Sequence, residues 1–270
     1  MRIGTTLAIP DPVNPVMAYR MPAGRARTAL VALLVSALAG CAASQEQSPL
    51  DAAPPMPDAA DGCPARPSTA TASPSSVPEA VALANGLLGN NPSLSIDCFL
   101  SALARPLTVV GSVSTFSLQP SVNGAHDPRL FIFSGNLMLS VVPSGSGSPF
   151  VELAETTTPL RSIKAQMGPF PLTAPIPAAA PYDDIRQNGG TVCGSCHPAE
   201  EVAPQVSVTA AFDSAVLQPF SNALVPLDQM QNDAAACDPQ QDPARCAILK
   251  GVFSHGAVTA GAFPDDAQTF

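Results

Sequence analysis

The placement of seven cysteines constrains this 270-residue chain more than any other feature. Cysteines pair with one another, bind metals or carry covalent groups, and each use fixes which parts of a chain must meet. Two lie close together near the centre and are followed by a histidine, in the run Cys193-Gly194-Ser195-Cys196-His197. Cys41 follows an apolar run. The other four cysteines are widely spaced: Cys63, Cys98, Cys237 and Cys246. We therefore expect three different kinds of cysteine chemistry.

The central run has the C-x-x-C-H spacing that attaches haem covalently. Two thiols at this spacing reach the two vinyl groups on one edge of a porphyrin, and the next residue offers an imidazole to the iron. The motif is similar to that of c-type cytochromes, which implies one covalent haem c on Cys193 and Cys196 with His197 as an axial iron ligand. Only these three residues carry the resemblance. The motif follows a proline-rich loop, 168–190, where small cytochromes c have a helix, so their all-helical fold is not expected.

The amino-terminal region has the form of an export signal. Three arginines between residues 20 and 27 precede the apolar run 29–39, which is too short to span a bilayer comfortably. Leu38-Ala39-Gly40-Cys41 resembles a bacterial lipobox, which implies cleavage after residue 40, acylation of Cys41 and a lipid anchor in a membrane of the cell envelope. An ordinary signal peptide is the alternative. Translation could also start at Met17 or Met21, because residues 1–16 fit no signal architecture.

The four remaining cysteines form an even set, and disulfides persist outside the cytoplasm. We predict the pairs Cys63–Cys98 and Cys237–Cys246, because each closes a short loop. Three alternatives stay open for Cys193 and Cys196. They are a third disulfide in a protein without haem, a zinc site shared with Cys237 and Cys246, and a thioredoxin-like redox pair.

The net charge of the chain limits the kinds of molecule that it is expected to bind. Without residues 1–40 the chain keeps 8 basic against 20 acidic residues, a net charge of −12. This argues against nucleic acid and against electrostatic binding to anionic lipid. It suits a basic redox partner protein, although solubility alone also explains it.

The remaining pattern predicts a mainly β fold, a sandwich-like antiparallel domain with a few short helices and a haem-bearing loop. Residues 41–78 read as the acylated cysteine and a Pro/Ala/Ser tether, 79–192 as a short helix (79–89) and a β-rich region, and 193–270 as the haem segment, a strand and a carboxy-terminal helix. Strands are expected over 162–167 and 205–213, and longer strands with a bulge or bend over 107–118 and 129–142. A hairpin loop is expected at 144–148 and a helix over 242–251.

The second axial ligand would decide what a haem does here, since a filled coordination sphere suits an electron carrier and a vacant one permits ligand binding or peroxide chemistry. The sequence offers His126, His255, Met138, Met167 and Met230 as candidates, and Met230 and His255 are favoured. We expect one-electron transfer by a protein that is not an enzyme. The alternatives are a β-rich binding or structural lipoprotein without haem, and a haem sensor or peroxidase.

Overall fold

The computed structural model describes residues 62–64, 72–89, 91–115 and 117–269. The signal segment 1–40, Cys41 and most of the expected tether lie outside these residues. The described helices are α1 Val77–Leu88, α2 Ile96–Ser101, α3 Ala180–Asp183, α4 Leu227–Ala235 and α5 Pro243–Phe253. No helix in this described part is long and apolar enough to cross a membrane.

Thirteen strands accompany the helices within the described residues. They are β1 Leu107–Ser112, β2 Arg129–Ser134, β3 Leu137–Val141, β4 Val151–Thr158, β5 Arg161–Met167, β6 Arg186–Gln187, β7 Gly190–Thr191, β8 Glu201–Val202, β9 Phe212–Ala215, β10 Leu217–Gln218, β11 Leu224–Val225, β12 Val258–Ala260 and β13 Gln268–Thr269.

Nine of these strands form one sheet, in the order β11-β1-β2-β3-β4-β5-β9-β8, and β12 also pairs with β1. Strands β1 to β5 are antiparallel neighbours in chain order, and only β12 joins the sheet in parallel. The carboxy-terminal segment supplies β8, β9, β11 and β12, so it completes the sheet that the earlier strands begin. The predicted mainly β, antiparallel fold with a few short helices is confirmed.

One face of the sheet makes the hydrophobic core. Alternate residues of the central strands, such as Leu130, Ile132 and Leu139, are fully buried and join one cluster with Phe99 and Ile248 from the helices. Helix α1 begins after Ser76, whose hydroxyl accepts from the Glu79 amide, and α5 begins after Asp242, which caps it in the same way. The helices therefore form the second layer against this face.

The opposite face carries a different set of side chains, because residues alternate along a strand. Phe131, Val110 and Phe263 make a small second cluster there, and Phe263 packs edge-on against Phe131 with ring centroids 5.0 Å apart. The rest of this face is polar and lies under the segment that carries the C-x-x-C-H motif. The sheet thus separates the core from the site.

Several predicted elements differ from those observed. The strand expected over 205–213 is wrong over most of its length: residues 203–211 form no strand and include a turn at 204–205 and a bend at 208–209, Val208 is 54% exposed, and β9 begins only at Phe212. The strand expected over 107–118 ends at Ser112. The stretch 129–142 is a hairpin that reverses at Gly135-Asn136, where Gly135 has a φ of +59°. The hairpin loop at 144–148 and the carboxy-terminal helix are present, and α2 and α4 were not expected from the pattern.

Both expected disulfides are present, with Cα–Cα distances of 5.2 Å for Cys63–Cys98 and 5.5 Å for Cys237–Cys246. Replacing Cys237 and Cys246 together by serine should lower the free energy of unfolding by about 2–4 kcal/mol, because the unfolded chain gains conformational freedom. Urea denaturation of the oxidised variant measures this loss. A change below about 0.5 kcal/mol would contradict a stabilising role for this bond.

Candidate haem-attachment site

The motif lies on a single short turn between β7 and β8. Residues Val192–Ser195 form a 3₁₀ turn whose amino terminus is capped by the Thr191 hydroxyl, which accepts from the Cys193 amide at 3.1 Å. The amides of Cys196 and His197 both donate to the Cys193 carbonyl, at 3.0 and 2.8 Å. The turn therefore holds both thiols and the imidazole in one compact group.

Glu200 closes this turn from the other end. Its carboxylate accepts from the Thr191 amide at 2.8 Å and from the Thr191 hydroxyl. A side chain at Gly190 or Gly194 would collide with that carboxylate, so both positions need glycine for this arrangement. These hydrogen bonds between Glu200 and Thr191 join the two ends of the loop that carries the motif and fix its position on the sheet.

The motif covers an open cavity on the polar face of the sheet. Cys193, Cys196 and His197 line one side, and the sheet supplies the floor, including Arg129, Phe131, Met138, Ser140, Glu152, Ala154 and Lys164. The cavity measures about 70 Å³. This is small against the several hundred Å³ of an enclosed cofactor pocket, so the cavity would not enclose a whole porphyrin.

Both thiols of the motif are free, Cys193 half-buried and Cys196 exposed. Burial, with the Glu152 carboxylate nearby, raises the pKa of the Cys193 thiol to about 11. The reactive cysteine of a thioredoxin-type pair has a lowered pKa instead, so this environment disfavours that alternative. A four-thiolate zinc site is excluded in this structure, because Cys237 and Cys246 are bonded to each other.

The imidazole of His197 is hydrogen-bonded through one of its two ring nitrogens. Its Nδ1 lies 2.9 Å from the Ala215 carbonyl oxygen, which can only accept, so Nδ1 carries the proton and Nε2 keeps its lone pair. Burial and the charge of Lys164 lower the pKa of His197 to about 4. The imidazole is therefore neutral at physiological pH, which is the form that ligates iron.

The floor of the cavity contains an ion pair and a buried amine. Arg129 pairs with Glu152, donates to the Ser140 hydroxyl at 2.6 Å and lies over the Phe131 ring. Lys164 is 6% exposed, and its Nζ donates to the Ser162 hydroxyl at 2.7 Å. Burial lowers the pKa of Lys164 to about 8. These groups make the cavity strongly polar on its sheet side.

Most of the expected second axial ligands lie elsewhere. Met230 is 2% exposed on α4 in the core, with its sulfur against Gly111 on the other face of the sheet. His255 is exposed beyond α5, and His126 is exposed with Nδ1 3.4 Å from Asp233. Met167 is a core residue. The expectation that Met230 or His255 faces the iron therefore disagrees with where these side chains lie.

Of the five candidates, the structure brings only Met138 to the cavity that His197 lines. Sequence reasoning did not single out Arg129, Glu152 or Lys164. Glu152 and Lys164 carried a signal, since each alternates with apolar residues along its strand, but such polar positions ordinarily face water. Arg129 carried none, because Phe131 and Phe133 share its face of β2. The segment that carries the motif covers the three polar residues here.

Comparison with known proteins adds no assignment: no protein-family model, no curated protein and no solved structure matches this chain.

Proposed function

We propose that this protein is a lipid-anchored, monohaem c-type cytochrome-like protein that transfers single electrons in the cell envelope. The observation that carries the proposal is the meeting of two free thiols with a histidine whose Nε2 lone pair is available, at one cavity. Every other described cysteine is in a disulfide, so these two thiols are the pair left for attachment.

Different residues would hold different parts of the cofactor. Cys193 and Cys196 would carry the two thioether bonds, and His197, oriented by the Ala215 carbonyl, would ligate the iron. A bound haem supplies a one-electron redox centre at this position. Glu200 and Thr191 hold the loop, and the rigid sheet beneath the cavity limits reorganisation of the site.

The open cavity favours electron transfer over an enclosed reaction. Cys196 is exposed, and Leu118, which lines the same cavity and is 52% exposed, offers an apolar surface. A cofactor edge left outside the cavity would be within reach of a partner protein. The acidic net charge of the chain suits a basic partner, and the acylated Cys41 would keep both at a membrane.

The alternative with a third disulfide and no haem is less well supported, because Cys193 and Cys196 are not joined. A haem sensor or peroxidase needs an open coordination position on the iron, so this alternative depends on whether a second axial ligand is present.

The test is expression with a c-type maturation system, then a denaturing gel stained for haem peroxidase activity. The expected result is a stained band for the wild type and none for the Cys193→Ala/Cys196→Ala variant. Thermal unfolding of the variant should match that of the wild-type apoprotein, since the core lies on the other face of the sheet. An unstained, colourless wild type would contradict the proposal.

A further inference from the structure

Lys164 is buried without an ionic partner. Its side chain projects from β5 onto the polar face of the sheet, where it is 6% exposed, and its one described hydrogen bond is to Ser162. Among the described residues no carboxylate lies within ion-pair distance of it: Glu152 is paired with Arg129, and Asp213 is paired with Arg161. Two of its three N–H positions are therefore unused by the protein.

Such a position is unfavourable for stability. Removing an ammonium from water costs several kcal/mol unless a charged partner compensates. The chain has only two lysines, Lys164 and Lys250, so this one does not belong to a general surface pattern. A buried, unpaired amine that lines a cavity is a candidate functional group.

The sheet register places this amine beside the motif with room around it. Lys164 pairs with Ala154 on β4, and Ala154 pairs with Met138 on β3, so the three side chains form one row across the sheet. The small alanine leaves space between the lysine and the methionine. Lys164, His197 and Cys193 line the same cavity, and the amine lies close enough to both for electrostatic coupling.

Met138 is the other candidate for the second axial ligand, but its side chain has a packing role. It is half-buried and packs against the aromatic cluster of Val110, Phe131 and Phe263. Its position is thus explained by packing, whereas no packing or ion pair explains the buried amine of Lys164.

We propose that the Nζ of Lys164 is the second axial ligand of the iron, opposite His197. The inference rests on the proposed haem function. Coordination uses the amine lone pair, so the bound form is neutral and the ammonium proton leaves to solvent. Ser162 orients the amine by accepting one of its N–H groups. Two nitrogen ligands would fill the coordination sphere, which favours an electron carrier over a gas sensor or peroxidase.

The first test is proton NMR of the reduced, haem-loaded protein grown with ¹³C-lysine. With two lysines, two side-chain spin systems are expected. Ring current from the porphyrin should shift the methylene protons of one far upfield, and a Lys250→Arg variant should retain that shifted set. Two lysines at ordinary positions in a haem-loaded protein would overturn the proposal.

The second test compares Lys164→Leu with Met138→Leu by electron paramagnetic resonance and by cyanide binding. Lys164→Leu should become high-spin and bind cyanide at least roughly tenfold faster, because an internal ligand no longer competes for the iron. Met138→Leu should stay low-spin. Loss of the low-spin form in Met138→Leu alone would assign the ligand to the thioether and overturn the proposal, as would no change in either variant. A wild type without covalent haem would instead remove the proposed function and this inference together.

Discussion

Replacing Arg245 by methionine is expected to lower the free energy of unfolding by about 3–5 kcal/mol, one of the largest losses available to a single substitution in this fold. Arg245 on α5 is paired with Asp127, and their side chains are 6% and 1% exposed. The guanidinium also donates to the His126 carbonyl at 2.8 Å and to the Cys237 sulfur at 3.1 Å. Without it a buried carboxylate keeps its charge and loses its partner.

The matched control is Arg186→Met. Arg186 pairs with Asp183 at 3.2 Å, but both side chains are more than 40% exposed, so its loss should cost at most about 1 kcal/mol. Chemical denaturation at neutral pH measures both variants. Equal small losses would show that the buried pair contributes no more than a surface pair.

The contribution of the Arg245–Asp127 pair to the free energy of unfolding depends on pH. Burial opposes ionisation of Asp127, but hydrogen bonds from Ser144, Asn123 and Arg245 outweigh it and lower its pKa. Because the pKa is lower in the folded state, the stabilisation is present above the ordinary aspartate pKa and is lost as the pH falls through the lowered value. This acid-dependent loss should be smaller in Arg245→Met.

Replacing His197 by glycine is expected to remove the proximal iron ligand while leaving thioether attachment through Cys193 and Cys196 in part of the protein. The ferric spectrum should lose its low-spin form almost completely, because no other imidazole lines the cavity among the described residues. Added imidazole should restore the low-spin form by occupying the space that the side chain vacates. Absorption and electron paramagnetic resonance spectra measure both changes.

The chain supplies two internal controls. His126 is 62% exposed on its side chain and His255 is exposed, and neither lines the cavity, so His126→Gly and His255→Gly should keep the wild-type spectrum. A haem-loaded His197→Gly protein with an unchanged spectrum would contradict the assignment of His197.

Local patterns predicted those parts of the fold that depend on neighbouring residues. The Asp242 cap and Pro243 mark the start of α5, and alternation over 162–167 marks β5. The strand expected over 205–213 failed because alternation alone does not supply a pairing partner, and the chain turns at 204–205 instead. The reversal at Gly135-Asn136 is sharper than the expected bulge or bend, although Ser134-Gly135-Asn136 has the residue types typical of a hairpin turn.

The sequence predicts the residues of the C-x-x-C-H motif, but it does not predict which residues of the sheet line the cavity with them. Cys193, Cys196 and His197 are contiguous, so one spacing rule identifies them. Lys164 and Met138 reach the cavity through the order of strands and the register between them, which single-sequence patterns do not specify. Met230 lies between Gln229 and Gln231 in the sequence, yet its own side chain is buried on the core side of α4.

The most direct test of covalent haem at Cys193 and Cys196 is the intact mass of the denatured, unreduced wild-type protein after expression with a c-type maturation system, followed by mapping of its cysteine peptides. The predicted result is the added mass of one haem on the peptide containing both Cys193 and Cys196, with Cys63–Cys98 and Cys237–Cys246 recovered as disulfides. A protein with no added mass, in which Cys193 and Cys196 are bonded to each other or bind zinc, would contradict it.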